Sequence, residues 1–268
     1  MPVPASYNDI TTNTTVRDYL GWAWYSTQFY VDPGWQEDSR VVLRFGSVHY
    51  TAMVYVNGEF VTEHSGGHLP FQAEVSGVLK FSAQNLLTVA VNNTLTRFSL
   101  PQGEYRWQSE AAGYPPGYST LEYNFDFFNY AGIHRPVTLY RTPEKIYIQD
   151  ITTSTRVNQD LSAQFTYNVS YFLKNEEKEN IKCVVQLVGK EAEVEAEWFS
   201  CTATPTLQAP KLWWPYLMSE QPGHLYQLRV TVISLKHGMD EYSLPVGLRE
   251  VTWSNSSFMI NHRPFYFR

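Results

Sequence analysis

The sequence predicts an all-β protein built from two successive sandwiches. Three observations carry that reading. Short β-branched and aromatic segments recur along the whole chain. No window of about 11 residues or more holds a helical period. The run Thr142-Pro143-Glu144 marks a boundary, and beyond it a second series of strands begins.

The elements follow in order. Arg40–Phe45 and Thr51–Val56 are strands rich in β-branched and aromatic residues. Asn57-Gly58 fits a tight hairpin turn, because both residues tolerate positive φ. Leu86–Val91 and Pro136–Tyr140 are further strands. Between them, Thr94–Asn124 reads as a long loop, dense in Gly and Pro yet carrying Tyr105, Trp107, Tyr114 and Tyr118. Long loops in compact domains are functional or disordered, and the aromatics favour a packed docking surface. After the boundary, strands are predicted over 145–151, 163–173, 181–189, 194–201, 225–233 and 242–251. That spacing fits an immunoglobulin-like sandwich of about seven strands. Asn175–Asn180 is a charged, solvated hairpin loop. Lys211–Tyr216 is an aromatic string whose Trp213 and Trp214 read as core filler, and Ser257–Arg268 reads as two short strands joined by a turn.

Composition narrows the function. The 268 residues allow about two domains at ~100–200 residues each. Hydrophobic residues make up 43% and charged residues only 17%, enough for a real core and too little charge for a disordered chain. A net charge of -6 leaves no basic footprint for nucleic acid or an anionic membrane. No apolar run approaches the ~20 residues of a membrane span, and Met1–Ser6 does not open a signal peptide. Four glycosylation sequons, beginning at Asn13, Asn92, Asn168 and Asn255, nevertheless point to a secretory product. Cys183 and Cys201 lie in neighbouring strands; a disulfide and two buried thiols are both open. No metal-ligand spacing is present: His64 and His68 flank Gly66-Gly67, where a loop-shaping role is expected. No cofactor motif is found.

The most informative segment is Phe125–Val137, which sets Asp126 and Asn129 within a run of aromatic rings. Aromatic faces cover apolar C–H surface while Asp and Asn hydrogen-bond hydroxyls, and a sugar presents both surfaces. This string resembles a segment of the beta-glucuronidases, in glycoside hydrolase family 2. Further strings resemble the same family in order: Met1–Asp9, Gly21–Tyr25, Val56–Gly58, Glu63–Phe71, Asn92–Leu95, Leu212–Pro215 and Leu244–Arg249.

The resemblance implies a jelly-roll sugar-binding domain over 1–142 without its first strand, and an immunoglobulin-like β-sandwich over 143–252. Residues 253–268 would begin a linker into a (β/α)8 barrel outside this sequence. It implies a retaining glycosidase acting on beta-glucuronoside substrates, whose two catalytic glutamates belong to that barrel. No catalytic residue is therefore nominated in this chain, which is expected to be inactive alone. Asp126 would reach into the barrel mouth and hydrogen-bond a sugar hydroxyl, with Asn129 and Tyr130 supporting it. The plainer reading of Asp126 is a loop carboxylate capping backbone N–H groups. The parent enzyme would be a homo-tetramer, lysosomal or secreted, with no nucleic-acid or membrane partner. Two rivals are a free-standing carbohydrate-binding protein and a truncated isoform that assembles with full-length subunits.

Overall fold

The structure is a computed structural model that describes residues 1–123, 126, 130–174 and 181–267. The predicted loop Asn175–Asn180 and the candidate Asn129 lie outside the described residues. The chain divides into two compact units, Met1–Thr142 and Pro143–Arg268. Among the described residues helix is confined to Thr14–Arg17 and three 3-10 turns, and no helix is long and apolar enough to cross a membrane.

The first unit contains β1 (Trp22–Phe29), β2 (Ser39–Phe45), β3 (Thr51–Val56), β4 (Glu59–Ser65), β5 (Phe71–Glu74), β6 (Asn85–Asn92), β7 (Gly103–Trp107), β8 (Ser119–Tyr123) and β9 (Val137–Pro143). One sheet runs β1-β6-β3-β4 and a second β5-β2-β9. Alternation along β3 and β6 turns Ala52, Val54, Val56, Leu87, Val89 and Val91 inward, where they meet Val41, Leu43 and Phe45 of β2. Each such side chain, once fully buried, contributes about 1.5–3 kcal/mol. Asn57 and Gly58 take positive φ of 54° and 88°, so the β3–β4 turn is of the expected kind. Asn57 also ties the turn to β6, accepting from Leu86 N–H at 3.0 Å and donating to Asn85 Oδ1 at 2.8 Å.

The predicted loop Thr94–Asn124 is not uniformly loop. Gly103–Trp107 and Ser119–Tyr123 pair antiparallel as a hairpin, with Tyr105 opposite Leu121. The Tyr105 hydroxyl meets Ser119 Oγ at 2.5 Å, and Arg106 pairs with Glu104 and Glu122 at 3.1 Å each. Tyr114 and Tyr118 stack at 5.2 Å, while Trp107 stays exposed. Gly and Pro density hid two five-residue strands whose alternation is short.

The second unit contains β10 (Ile146–Val157), β11 (Ala163–Leu173), β12 (Lys182–Val188), β13 (Val194–Trp198), β14 (Thr202–Ala203), β15 (Thr206–Leu207), β16 (Tyr226–Ser234), β17 (Gly238–Val246), β18 (Val251–Trp253), β19 (Phe258–Ile260) and β20 (Arg263–Pro264). A sheet of β10-β11 with β14 and β15 faces a sheet ordered β13-β12-β16-β17, as an immunoglobulin-like sandwich requires. Phe165, Tyr167, Val185, Leu228 and Val230 are wholly buried between them, and Trp198 packs on both Phe165 and Tyr167.

Cys183 and Cys201 form a disulfide, with Cα atoms 5.0 Å apart, so the free-thiol alternative is set aside. It ties β12 to the segment whose Cys201 carbonyl accepts from Val169 N–H of β11. Closing a loop of this length is worth about 3 kcal/mol on a chain-entropy account. β18, β19 and β20 form a small sheet, and Asn261 and His262 make the last turn at positive φ. Trp214 packs against the core beneath Arg263, and Trp213 lies under Arg249 at 4.3 Å.

Candidate functional site

Asp126 and Tyr130 both lie in the segment Phe125–Val137 that the sequence singles out, and their environments differ. Asp126 is exposed, and among the described residues no hydrogen-bond partner meets its carboxylate. Tyr130 is half-buried and anchored by a ring of histidines from the first unit. Its hydroxyl lies 2.9 Å from His68 Nδ1, and its ring centroid lies 3.9 Å from that of His49 and 4.6 Å from that of His134.

The hydrogen bonds orient the His68 ring. Its Nε2 is 2.5 Å from the Leu100 carbonyl, which can only accept, so Nε2 carries the hydrogen. Nδ1 faces the Tyr130 hydroxyl at 2.9 Å and His49 Nε2 at 3.2 Å, and its single lone pair serves one of them at a time. His49 is fully buried and stacked on Tyr50 at 4.4 Å. Burial, with His134, His68 and Arg135 nearby, pushes it down to about 3 from 6.5, so it stays neutral at ordinary pH. His134 is lowered too, chiefly by burial and against a hydrogen bond to the Gly132 carbonyl. Burial raises the Tyr130 phenol, keeping it a donor.

The backbone after Tyr130 is clamped from both sides. Ala5 N–H donates to the Ile133 carbonyl at 3.0 Å, and Asn8 Oδ1 accepts from Ala131 N–H at 2.7 Å. On the other side His49 and Gly132 exchange backbone hydrogen bonds at 3.1 and 3.4 Å. Gly132 has φ of +103°, and a Cβ there would meet the Tyr25 hydroxyl at 2.4 Å, so no larger residue fits. Gly67 is equally constrained, since its Cβ would meet His49 Cδ2 at 2.4 Å. The Gly66-Gly67 pair thus lets the loop close over His49.

His68 joins this cluster, while His64 lies elsewhere, stacked on Phe71 at 4.5 Å. Sequence reasoning passed over His49 and His134, although His134 ends the aromatic string and His49-Tyr50 follows a clear strand. Among the described residues no group of three or more His, Cys, Asp or Glu could hold a metal ion. An exposed carboxylate such as that of Asp126 can orient a hydroxyl-bearing ligand without moving a proton.

The sequons differ in setting. Asn13, Asn168 and Asn255 are exposed and Asn92 is half-buried. Asn13 Oδ1 accepts from Thr15 N–H, while Asn168 Oδ1 accepts from the Thr202 hydroxyl.

Two family profiles match the chain. One is described as glycosyl hydrolases family 2, sugar binding domain, over residues 3–143; the other as glycosyl hydrolases family 2, over residues 146–249. The chain is 42% identical over 272 residues to a beta-glucuronidase of Mus musculus and 45% identical over 276 residues to one of Felis catus. In both cases 100% of this chain aligns with 41% of the relative, so it spans about two fifths of their length. A beta-D-glucuronidase structure from Dictyoglomus thermophilum superposes with a TM-score of 0.88 at 38% identity, covering 100% of this chain and 43% of that one. One from Ruminococcus gnavus in complex with D-glucuronic acid gives 0.85 at 30% identity, with 100% and 43% covered.

Proposed function

We propose, because this chain belongs to glycosyl hydrolase family 2, that it forms the sugar-binding and immunoglobulin-like portion of a beta-glucuronidase. The whole enzyme would hydrolyse terminal beta-D-glucuronosyl bonds. The observation that carries this reading is that 100% of the chain aligns with beta-glucuronidases of several mammals while spanning 41% of their length. Within the chain, Asp126 is the sugar-contacting residue. Its carboxylate accepts from a substrate hydroxyl, and Tyr130, through His68 and His49, holds the segment that presents it. Asn129 supports it. Hydrolysis itself falls to a glutamate pair outside residues 1–268, as retaining glycosidases require two carboxyl groups ~5–5.5 Å apart. The parent enzyme is a homo-tetramer that passes through the secretory pathway, carries N-glycans and works in the lysosome or outside the cell.

The test is direct. The purified chain should release no product from a chromogenic beta-glucuronide. Joined to the barrel of a relative, it should restore hydrolysis, and Asp126→Ala in that chimera should lower kcat/KM by about 10–100-fold, the worth of a ~1.5–3 kcal/mol charged hydrogen bond. Turnover by residues 1–268 alone, abolished by Asp126→Ala, would overturn the division of labour.

A further inference from the structure

We propose that the outer face of β1 and β6 is a docking platform for an N-linked glycan on this chain's own Asn92, with Trp22 and Trp24 as its floor. The observations begin with register. In the β1–β6 ladder Trp22 stands directly opposite Asn92, and Trp24 opposite Ala90. Paired residues project to the same face, and Trp22 and Trp24 alternate with the inward-facing Ala23 and Tyr25. Asn92, Trp22 and Trp24 therefore share one outer surface. The two indoles lie one pleat apart, about 6.6 Å along the strand.

Both indoles reach solvent, as do those of Trp107 in β7 and Trp253 in β18. Trp24 is 67% exposed and Trp22 41%. A ring left in water on a sheet face keeps an apolar surface that a ligand with C–H faces can cover. Opposite Trp24 is the small Ala90, and beyond it Met53, so no bulky neighbour rises over the ring. A pyranose fits this surface, since its axial C–H face lies flat on an indole while its hydroxyls stay in water.

Asn92 is set to supply that sugar. Its Oδ1 accepts from Thr94 N–H at 2.9 Å, within the sequon Asn92-Asn93-Thr94. Among the described residues no acceptor meets its Nδ2, the atom that would carry a glycan. The next residue plays the opposite part. Asn93 is fully buried, accepting from Gly21 N–H at 2.9 Å and donating to the Tyr19 carbonyl at 2.7 Å. It fixes the entry to β1 that aims Trp22. Two of the other sequons lack such a floor, since Asn168 faces Thr152 and Thr202 and Asn13 caps a helix of four residues, while Asn255 follows the exposed Trp253 in the turn after β18.

The inference rests on the secretory reading above, and its test separates the two. The full chain is secreted from a glycosylating eukaryotic cell behind a cleavable signal. Asn92 occupancy is read by mass spectrometry, and melting is compared for the parent, Asn92→Gln, Trp24→Ala and the double variant. The expected result is an occupied Asn92 whose glycan raises Tm by about 2–4 °C, a gain that disappears when Trp24 is Ala. Enzymatic trimming of the parent should also red-shift its tryptophan emission, a readout that holds even where Trp24→Ala folds poorly. An empty Asn92 would overturn the platform, and four empty sequons would overturn the secretory reading with it. An occupied Asn92 whose stabilisation and emission ignore Trp24 would overturn the platform alone.

Discussion

The two sandwiches use the same alternation but finish their cores differently. In the second unit both faces meet completely: Phe165, Tyr167, Val185, Leu228 and Val230 are sealed, and the Cys183–Cys201 bond closes one end. In the first unit β3 and β6 are sealed, whereas the inward residues of β1 are not. Tyr25 and Phe29 are only half-buried, and Thr27 is exposed. With Leu43, Val137 and Leu139 they line an apolar cavity of about 440 Å³. Within residues 1–268 the second core is thus filled by its own strands, while the flank of β1 is left open.

Truncating one phenylalanine in each unit gives the sharpest contrast. Phe165→Ala should cost about 3–5 kcal/mol, because the packed interior cannot collapse into the gap. Phe29→Ala should cost only about 1–2 kcal/mol, since half of its surface already lies beside open space. Urea titration of both variants measures the gap. Equal losses would mean that the flank of β1 is as well packed as the second core.

Acid should weaken the first unit through the strongly lowered His49, while in the second unit burial lowers His224 in the same direction. Folded His49 titrates at about 3, while its unfolded value is 6.5. Between those values the unfolded chain binds a proton that the folded chain refuses. Stability is therefore complete above pH 6.5 and falls as pH drops toward 3, by at most about 1.4 kcal/mol per pH unit. In the second unit burial raises the carboxyl of Asp240, a contribution of opposite sign that favours folding as pH falls. Replacing His49 by Phe keeps the stacked ring and removes the titration, so the acid limb of the first unit should flatten. An unchanged limb would shift the acid sensitivity onto His134 or His64, which burial also lowers.

How far the sequence could be read follows the same divide between pattern and convergence. Strands with period-2 burial, such as Thr51–Val56 and Ala163–Leu173, were legible to the residue, because alternation alone decides which face is buried. The hairpin in 94–124 was not, since five-residue strands among Gly and Pro leave too few alternations to count. The disulfide stayed open because spacing cannot show that β12 and the turn after β13 converge. Asp126 and Asn129 stood out through their aromatic context, while Tyr130 was named through the family resemblance. The anchor of Tyr130 was hidden because His49, His68 and His134 are scattered over 86 positions and meet only through folding.

The smallest effects separate support from contact within that site. Tyr130→Phe removes one half-buried hydroxyl from His68 Nδ1 and should cost about 1 kcal/mol. Asp126→Ala should stay within about 0.5 kcal/mol, since an exposed carboxylate with no partner among the described residues stabilises nothing. The pair of melting curves therefore tests the role of each residue in the absence of any ligand. A loss above about 1 kcal/mol for Asp126→Ala would make it a structural cap on backbone N–H groups. A neutral Asp126→Ala beside a costly Tyr130→Phe would leave a carboxylate held in place by others, with its hydrogen-bonding capacity unspent and available to a hydroxyl.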